Sequence, residues 1–289
     1  MKKIIYRFIL IIIFVFVLLT SYLSIIGIET NKLNKQIENQ IKSLDENLGI
    51  ELNKVKIILD PFNFKINIKT VGSKIKYNEK IVDLESIKTQ ISINSFVNKN
   101  FLLKNLEIST KSLDINNLIS FMRSFKQSPE LFILEKIIKK GYLIADIKIE
   151  FDDQGNIKDN LIIKGFVKNA GLNSIKKINI NKINFIFEYK KNYVVLNDII
   201  LSLNDLKFFS KKIEIKNLNN EFIVGGQIEN KNLNLDKEKI ELLIKPFYSN
   251  FNIKKVEFSS ENFFSFKINK KLKLKNFKLS SKLILNKFS

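Results

Sequence analysis

The sequence predicts a mainly β protein with a few short helices, in which one N-terminal transmembrane helix leads into a long antiparallel, strongly twisted sheet. Two observations carry this reading. Residues 8–28 contain no charge and are dominated by Ile, Phe, Val and Leu. From Glu51 onward apolar residues tend to alternate with Lys and Asn, the period-two pattern of strands with one apolar and one polar face.

Residues 1–7 form a short tail whose charges, Lys2, Lys3 and Arg7, are all basic. The run from Phe8 to Ile28 spans roughly 30 Å as a helix, the thickness of a bilayer core. A cleaved signal peptide would carry a shorter apolar region and end in a small-x-small site. Here Thr20-Ser21-Tyr22-Leu23-Ser24 is embedded in apolar sequence, which favours an uncleaved anchor. Lys32, Lys35 and Lys42 follow closely, so the basic flanks nearly balance. The tail is short, however, and long downstream domains cross largely regardless of charge. The expected topology is a single pass through the inner (cytoplasmic) membrane, with a cytoplasmic N-terminus and a periplasmic bulk.

Residues 29–49 read as an amphipathic helix. Leu33, Ile37, Ile41, Leu44 and Leu48 recur at helical spacing, and Gly49 follows as a C-terminal cap. Residues 50–289 form the β-rich domain. Its strands include Phe64–Ile68, Ile147–Phe151, Ile183–Phe187 and Leu272–Leu274, joined by turns such as Asp60-Pro61, Asp152–Asn156 and Lys190–Asn192. Roughly a dozen strands side by side would extend about 55–60 Å. A helical insertion is expected near 114–140. Asp114 caps one helix with Ile115, Leu118, Met122 and Phe125 on a face; Ser128-Pro129 starts another that Gly141 closes. A further helix runs from Asp236 to Lys245, stopped by Pro246.

One pattern occurs twice. Gly165-x-Val167-x-Asn169-x-x-Leu172 matches Gly226-x-Ile228-x-Asn230-x-x-Leu233, each read as the end of a strand entering a turn. A true repeat would build the protein from similar β units placed end to end; chance is the alternative in so Ile- and Asn-rich a chain.

Composition excludes much chemistry. The chain has no Cys, His or Trp, which removes thiol and imidazole nucleophiles and Cys/His metal sites. No cofactor, metal or catalysis is expected. The net charge of +20 would suit nucleic acid, but Arg7 and Arg123 are the only arginines and the lysines are spread over the whole length rather than gathered in a block. Solvated strand faces explain them better, so no nucleic acid is expected; a general attraction to anionic lipid surfaces is compatible with the same charge. Asp152-Asp153 fits a turn better than a metal or acid–base site, and Gly225-Gly226 fits a strand bulge better than a phosphate loop. Asp45-Glu46 is the other acidic doublet off the strand faces. The 25 Phe residues are read as core or groove lining rather than base-stacking platforms.

The layout resembles the AsmA-like family, repeating β-groove proteins of the TamB and YhdP type. The residues that carry the resemblance are the N-terminal anchor and short helix, then Val55–Phe62, Ile91–Phe96, and Leu106–Ser109 running into Leu113–Ile115. The resemblance implies a groove that guides lipids between inner and outer membranes. The pattern itself demands that a continuous apolar face be covered by another sheet, a helix or a ligand. An apolar trough needs no specific polar ligands, because each buried CH₂ contributes about 0.8 kcal/mol.

Two readings therefore stand: a lipid conduit with an open groove, or a membrane-tethered scaffold or assembly factor for envelope proteins with a closed β-sandwich. On the first, Ile66, Ile68, Ile91, Ile93, Phe185 and Phe187 face phospholipid or another acyl-chain lipid. Strand-like sequence at Leu279–Phe288 adds the expectation of further β units or an outer-membrane partner at that edge.

Overall fold

The computed structural model describes residues 2–32, 34–93, 103–125, 127–152, 154, 156, 158–173, 179–218, 221–244, 253–269 and 273–288. The protein is mainly β, with a long antiparallel open sheet and short helices. Helix α1 (Lys2–Ile25) is followed by β1 (Ile28–Thr30), α2 (Asn34–Leu44), β2 (Leu48–Glu51), β3 (Lys54–Asp60) and β4 (Lys65–Val71). Next come β5 (Lys74–Tyr77), β6 (Lys80–Ser92), β7 (Leu103–Thr110), β8 (Leu113–Asp114), α3 (Ile115–Phe125) and α4 (Pro129–Ile137). Long strands follow: β9 (Ile138–Glu150), β10 (Ile162–Leu172), β11 (Ile180–Lys190), β12 (Tyr193–Leu203) and β13 (Leu206–Leu218). The last elements are β14 (Glu221–Asp236), α5 (Lys237–Ile244), β15 (Lys255–Asn269) and β16 (Leu274–Phe288).

The chain forms two compact units. The first holds residues 1–113, 117–128 and 144–162; the second holds 114–116, 129–143 and 163–289.

In the first unit the hydrogen-bonded order is β1-β3-β4-β6-β7 and then the second half of β9, with β2 and β5 reaching β6 from the side. Helix α1 is long and apolar enough to cross a membrane. It ends where the N–H groups of Ile26 and Gly27 both donate to the Tyr22 carbonyl. Gly27 adopts φ +74°, and a Cβ there would collide with the Ile57 carbonyl. Only glycine fits this exit. Helix α3 supplies Leu118 and Phe121 to a core around Val82, Leu84 and Leu113.

In the second unit β10 to β16 pair strictly in sequence order. Its core centres on Leu206, Leu233, Leu235 and Ile240, the last from α5. Asp236 ends β14 and caps α5, accepting from the Lys239 backbone N–H at 3.0 Å.

Two glycines act differently from the sequence expectation. Gly49 lies in β2 rather than capping α2. The helix stops earlier because Asp45 takes over, accepting from Asn47 N–H through its side chain and from Leu48 N–H through its carbonyl. Gly141 lies within β9, beyond the end of α4, at φ +148°. A Cβ would stand 2.8 Å from Ala170 Cα, so this glycine permits close strand approach. The expected residues Leu33, Asn94–Phe96, Asp153, Gly155, Lys245, Pro246 and Leu272 fall outside the described residues.

The recurring Gly-x-Val/Ile-x-Asn pattern also needs correction. The first copy ends its strand as expected, at Leu172, the last residue of β10; the second lies inside β14, which continues to Asp236. Each contains a β-bulge, between Val167 and Ala170 in one and between Asn230 and Leu233 in the other. The left-handed residues at these bulges are Asn169 and Asn232, the fifth residue of its copy and the seventh. The bulges are thus two residues out of step with the sequence match. Asn is the side chain that tolerates this conformation best after glycine.

Candidate functional site

Residues opposite one another across a ladder share a face. In the first unit Val55, Thr70, Ile87 and Ile108 form one row. Ile57, Ile68, Thr89 and Leu106 form the next. Leu59, Ile66 and Ile91 form a third. Beyond them Ile93 donates its N–H to the Phe64 carbonyl at 3.0 Å. The expected residues Ile66, Ile68, Ile91 and Ile93 therefore gather on one apolar face. Ile91 is buried, whereas the other three are half-buried. The α3 core closes this face at the Ile87–Ile108 row.

The second unit repeats the plan with its own residues. Phe187, Leu196, Ile213, Gly226, Phe264 and Leu279 follow one another across β11 to β16. A parallel row contains Tyr189, Val194, Ile215, Val224 and Phe266. Phe185 and Phe187 meet edge to face at 6.3 Å, and Phe264 stacks with Phe266 at 5.9 Å. Gly226 is required here: a Cβ would lie 2.8 Å from Ile213 Cγ1 and 2.9 Å from the Lys212 carbonyl. The β13–β14 bulge begins at this same pair, as the glycine doublet led one to expect.

Along the face toward α5 the lining changes. Asn230 and Ser260 are buried and hydrogen-bonded to each other. Asn262 donates to Ser260 Oγ at 2.8 Å and to the Ile228 carbonyl at 3.1 Å. Beyond this polar band lies the α5 core, where Ile240 is only 1% exposed. The apolar face is thus capped by a helix at one end and lined by half-buried Phe, Ile, Leu and Val toward the other.

The opposite face is polar. Glu188 pairs with Lys190 at 2.7 Å and with Lys164 at 3.7 Å; Glu214 pairs with Lys212 and Lys216; Glu221 pairs with Lys267 and Lys275. The Lys190 ammonium, donating to Glu188, holds that carboxyl below its usual range. Glu214 is lowered likewise, first by Lys212 and then by the Tyr193 hydroxyl. These exposed pairs each contribute little, but the segregation of charge fixes which face meets water.

Elsewhere the polar groups serve local structure. Asp152 accepts from the N–H groups of Gln154 and Asn156 at 2.8 and 2.9 Å, the arrangement of a side-chain-stabilised turn. A shallow open cleft lies between α5 and the β12–β13 turn, lined by Asn181, Asn204, Asp205 and Glu238 among others. Among the described residues no group of three or more Asp or Glu converges as a metal site would require.

Sequence alternation identified six face residues and missed others of equal standing, such as Leu59, Ile213, Val224 and Phe264. Their strands carried the same signal. Comparison with protein-family models, with curated proteins and with solved structures returns no match for this chain.

Proposed function

We propose that this protein is a single-pass, membrane-anchored periplasmic β-groove protein that carries or guides phospholipid or another acyl-chain lipid between inner and outer membranes, without catalysis. One observation supports it above the rest. Among the described residues each unit presents an apolar sheet face that a short helix covers at one end, and in the second unit Lys–Glu pairs line the opposite face. Half-buried Phe and Ile in rows suit acyl chains, whose transfer from water is driven by area and needs few polar contacts. The resemblance to AsmA-like proteins points the same way. At the far edge β16 pairs with β15 alone among the described residues, and exposes Leu279, Leu283 and Leu285. Such an edge suits a further β unit or an outer-membrane partner.

Photo-crosslinking amino acids at Ile68 and Phe187, with controls at Lys69 and Glu188 on the polar faces, test the reading in intact envelopes. Lipid adducts are expected at the first pair only. Adducts to protein alone at Ile68 and Phe187 would instead favour the closed scaffold. Native mass spectrometry of gently extracted protein should show bound lipid.

A further inference from the structure

The β3–β4 hairpin has an unusual tip. Residues 61–64 read Pro-Phe-Asn-Phe, and Phe62 is 92% and Phe64 68% exposed. Phe64 also adopts φ +50°, a conformation disfavoured for a bulky side chain. Neither ring is among the buried residues, so the described core does not repay this strain. Residues 61–64 carry no charge, and at the base of the turn Asp60 lies opposite Lys65. Asp60 is held by the Asn63 backbone N–H at 3.1 Å and its side-chain amide at 2.9 Å, and these bonds keep its carboxyl below the usual range.

The position of the tip supplies the reason. Strand β1 runs antiparallel to β3 with Ile28 opposite Ile57, so residues preceding Ile28 lie beside those following Ile57. Gly27 sits against Ile57 and Ile58, and the end of α1 lies one residue earlier still, at Ile26 and the exposed Ile25. The hairpin thus projects alongside the exit of the anchor. The first unit's apolar rows lead the same way, from the α3 core through Ile68 and Ile66 to Phe64 and Ile93.

We propose that the Phe62–Phe64 tip is a second membrane contact, inserted in the interfacial layer of the bilayer that holds α1, and that it sets the Ile66–Ile93 end of the first unit's apolar face against that bilayer. The proposal rests on α1 being membrane-embedded and commits to a lipid bilayer as the occupant. Aromatic rings at the headgroup level are favoured there, and a strained tip that displays two of them is thereby explained.

The absence of Trp gives a clean test. Single-Trp variants of the full chain, F62W, F64W, F14W in the anchor and F263W on β15, are reconstituted into phosphatidylcholine vesicles containing brominated acyl chains. Phe62 and Phe64 are so exposed that either probe preserves the fold, which far-UV circular dichroism verifies. F14W should be quenched strongly. F62W or F64W should be blue-shifted and quenched, most by bromines placed near the headgroup end of the chain, and F263W should not be quenched. Quenching of F14W with none at the tip would overturn the proposal and leave the anchor standing. No quenching of F14W would overturn the anchor and the proposal together. Equal quenching of F263W and F62W would mean adsorption without a specific tip contact. A blue shift without bromine quenching would mean that protein, such as a second copy, covers the tip. Either of the last two results also rejects the proposal.

Discussion

The backbone N–H of Asn169 on β10 donates to the side-chain oxygen of Asn184 on β11 at 2.8 Å. Asn169 is the left-handed residue of a β-bulge, so the ladder leaves its N–H without a strand partner. The second bulge uses the same device: Asn232 N–H donates to Ser259 Oγ on β15 at 3.0 Å. Replacing Asn184 by Ala should cost about 0.5–1.5 kcal/mol, the worth of one such hydrogen bond. Asn169→Ala should cost about 1 kcal/mol through strain, and Asn169→Gly much less. Thermal unfolding in detergent micelles ranks the three; equal costs for Ala and Gly at position 169 would contradict the strain argument.

At Gly226 the constraint is space rather than φ. A Cβ at this position would stand 2.8 Å from Ile213 Cγ1 and 2.9 Å from the Lys212 carbonyl, so Gly226→Val should destabilise by about 1–3 kcal/mol through overpacking. Gly225 has open contacts of 3.8 Å or more, so Gly225→Ala should change the melting temperature little. Reversal of this order would show that the β13–β14 register differs from the one described.

The helix caps should be separable from the open faces. Ile240→Ala removes a nearly inaccessible side chain from the α5 core and should cost about 2–4 kcal/mol. Leu84→Ala should do the same in the first unit. Phe264→Leu on the half-buried stretch of face should cost markedly less while lowering lipid capture. A lipid effect from Ile240→Ala alone, with Phe264→Leu silent, would place the lipid elsewhere.

Stability should fall in acid, and the polar face says why. Glu188 and Glu214 are lowered from 4.5 by their lysine partners. A carboxyl lowered on folding contributes stability above its unfolded value, and that contribution is lost as pH falls through the folded one. Lys212, raised from 10.5 by Glu214, contributes below that value and loses its share as pH rises through the folded one. The effect is small because these side chains are a third or more open to solvent or nearly so. A Glu188→Gln/Glu214→Gln variant should melt below wild type at neutral pH and converge with it below pH 4.5. High salt should narrow the gap. An unchanged gap across that range would assign no role to the pairs.

The sequence by itself determined the long apolar N-terminal helix, the strand-rich class and the two-faced character of the strands, because these depend on local chemistry. A long uncharged run and a period-two alternation need no tertiary information to be read. Ile66, Ile68, Phe185 and Phe187 were legible for that reason. The glycines at 49 and 141 were misread because a glycine's use depends on what approaches it: Asp45 had already ended α2, and Gly141 makes room for Ala170. Likewise only the fold could show that both copies of the recurring pattern contain a bulge, and that the second lies inside a strand rather than at its end. A bulge is a mismatch between two strands, and no single strand contains it. The hairpin tip belongs with these. Phe62 and Phe64 read locally as more apolar strand, and only the pairing of Ile28 with Ile57 sets them beside the exit of α1.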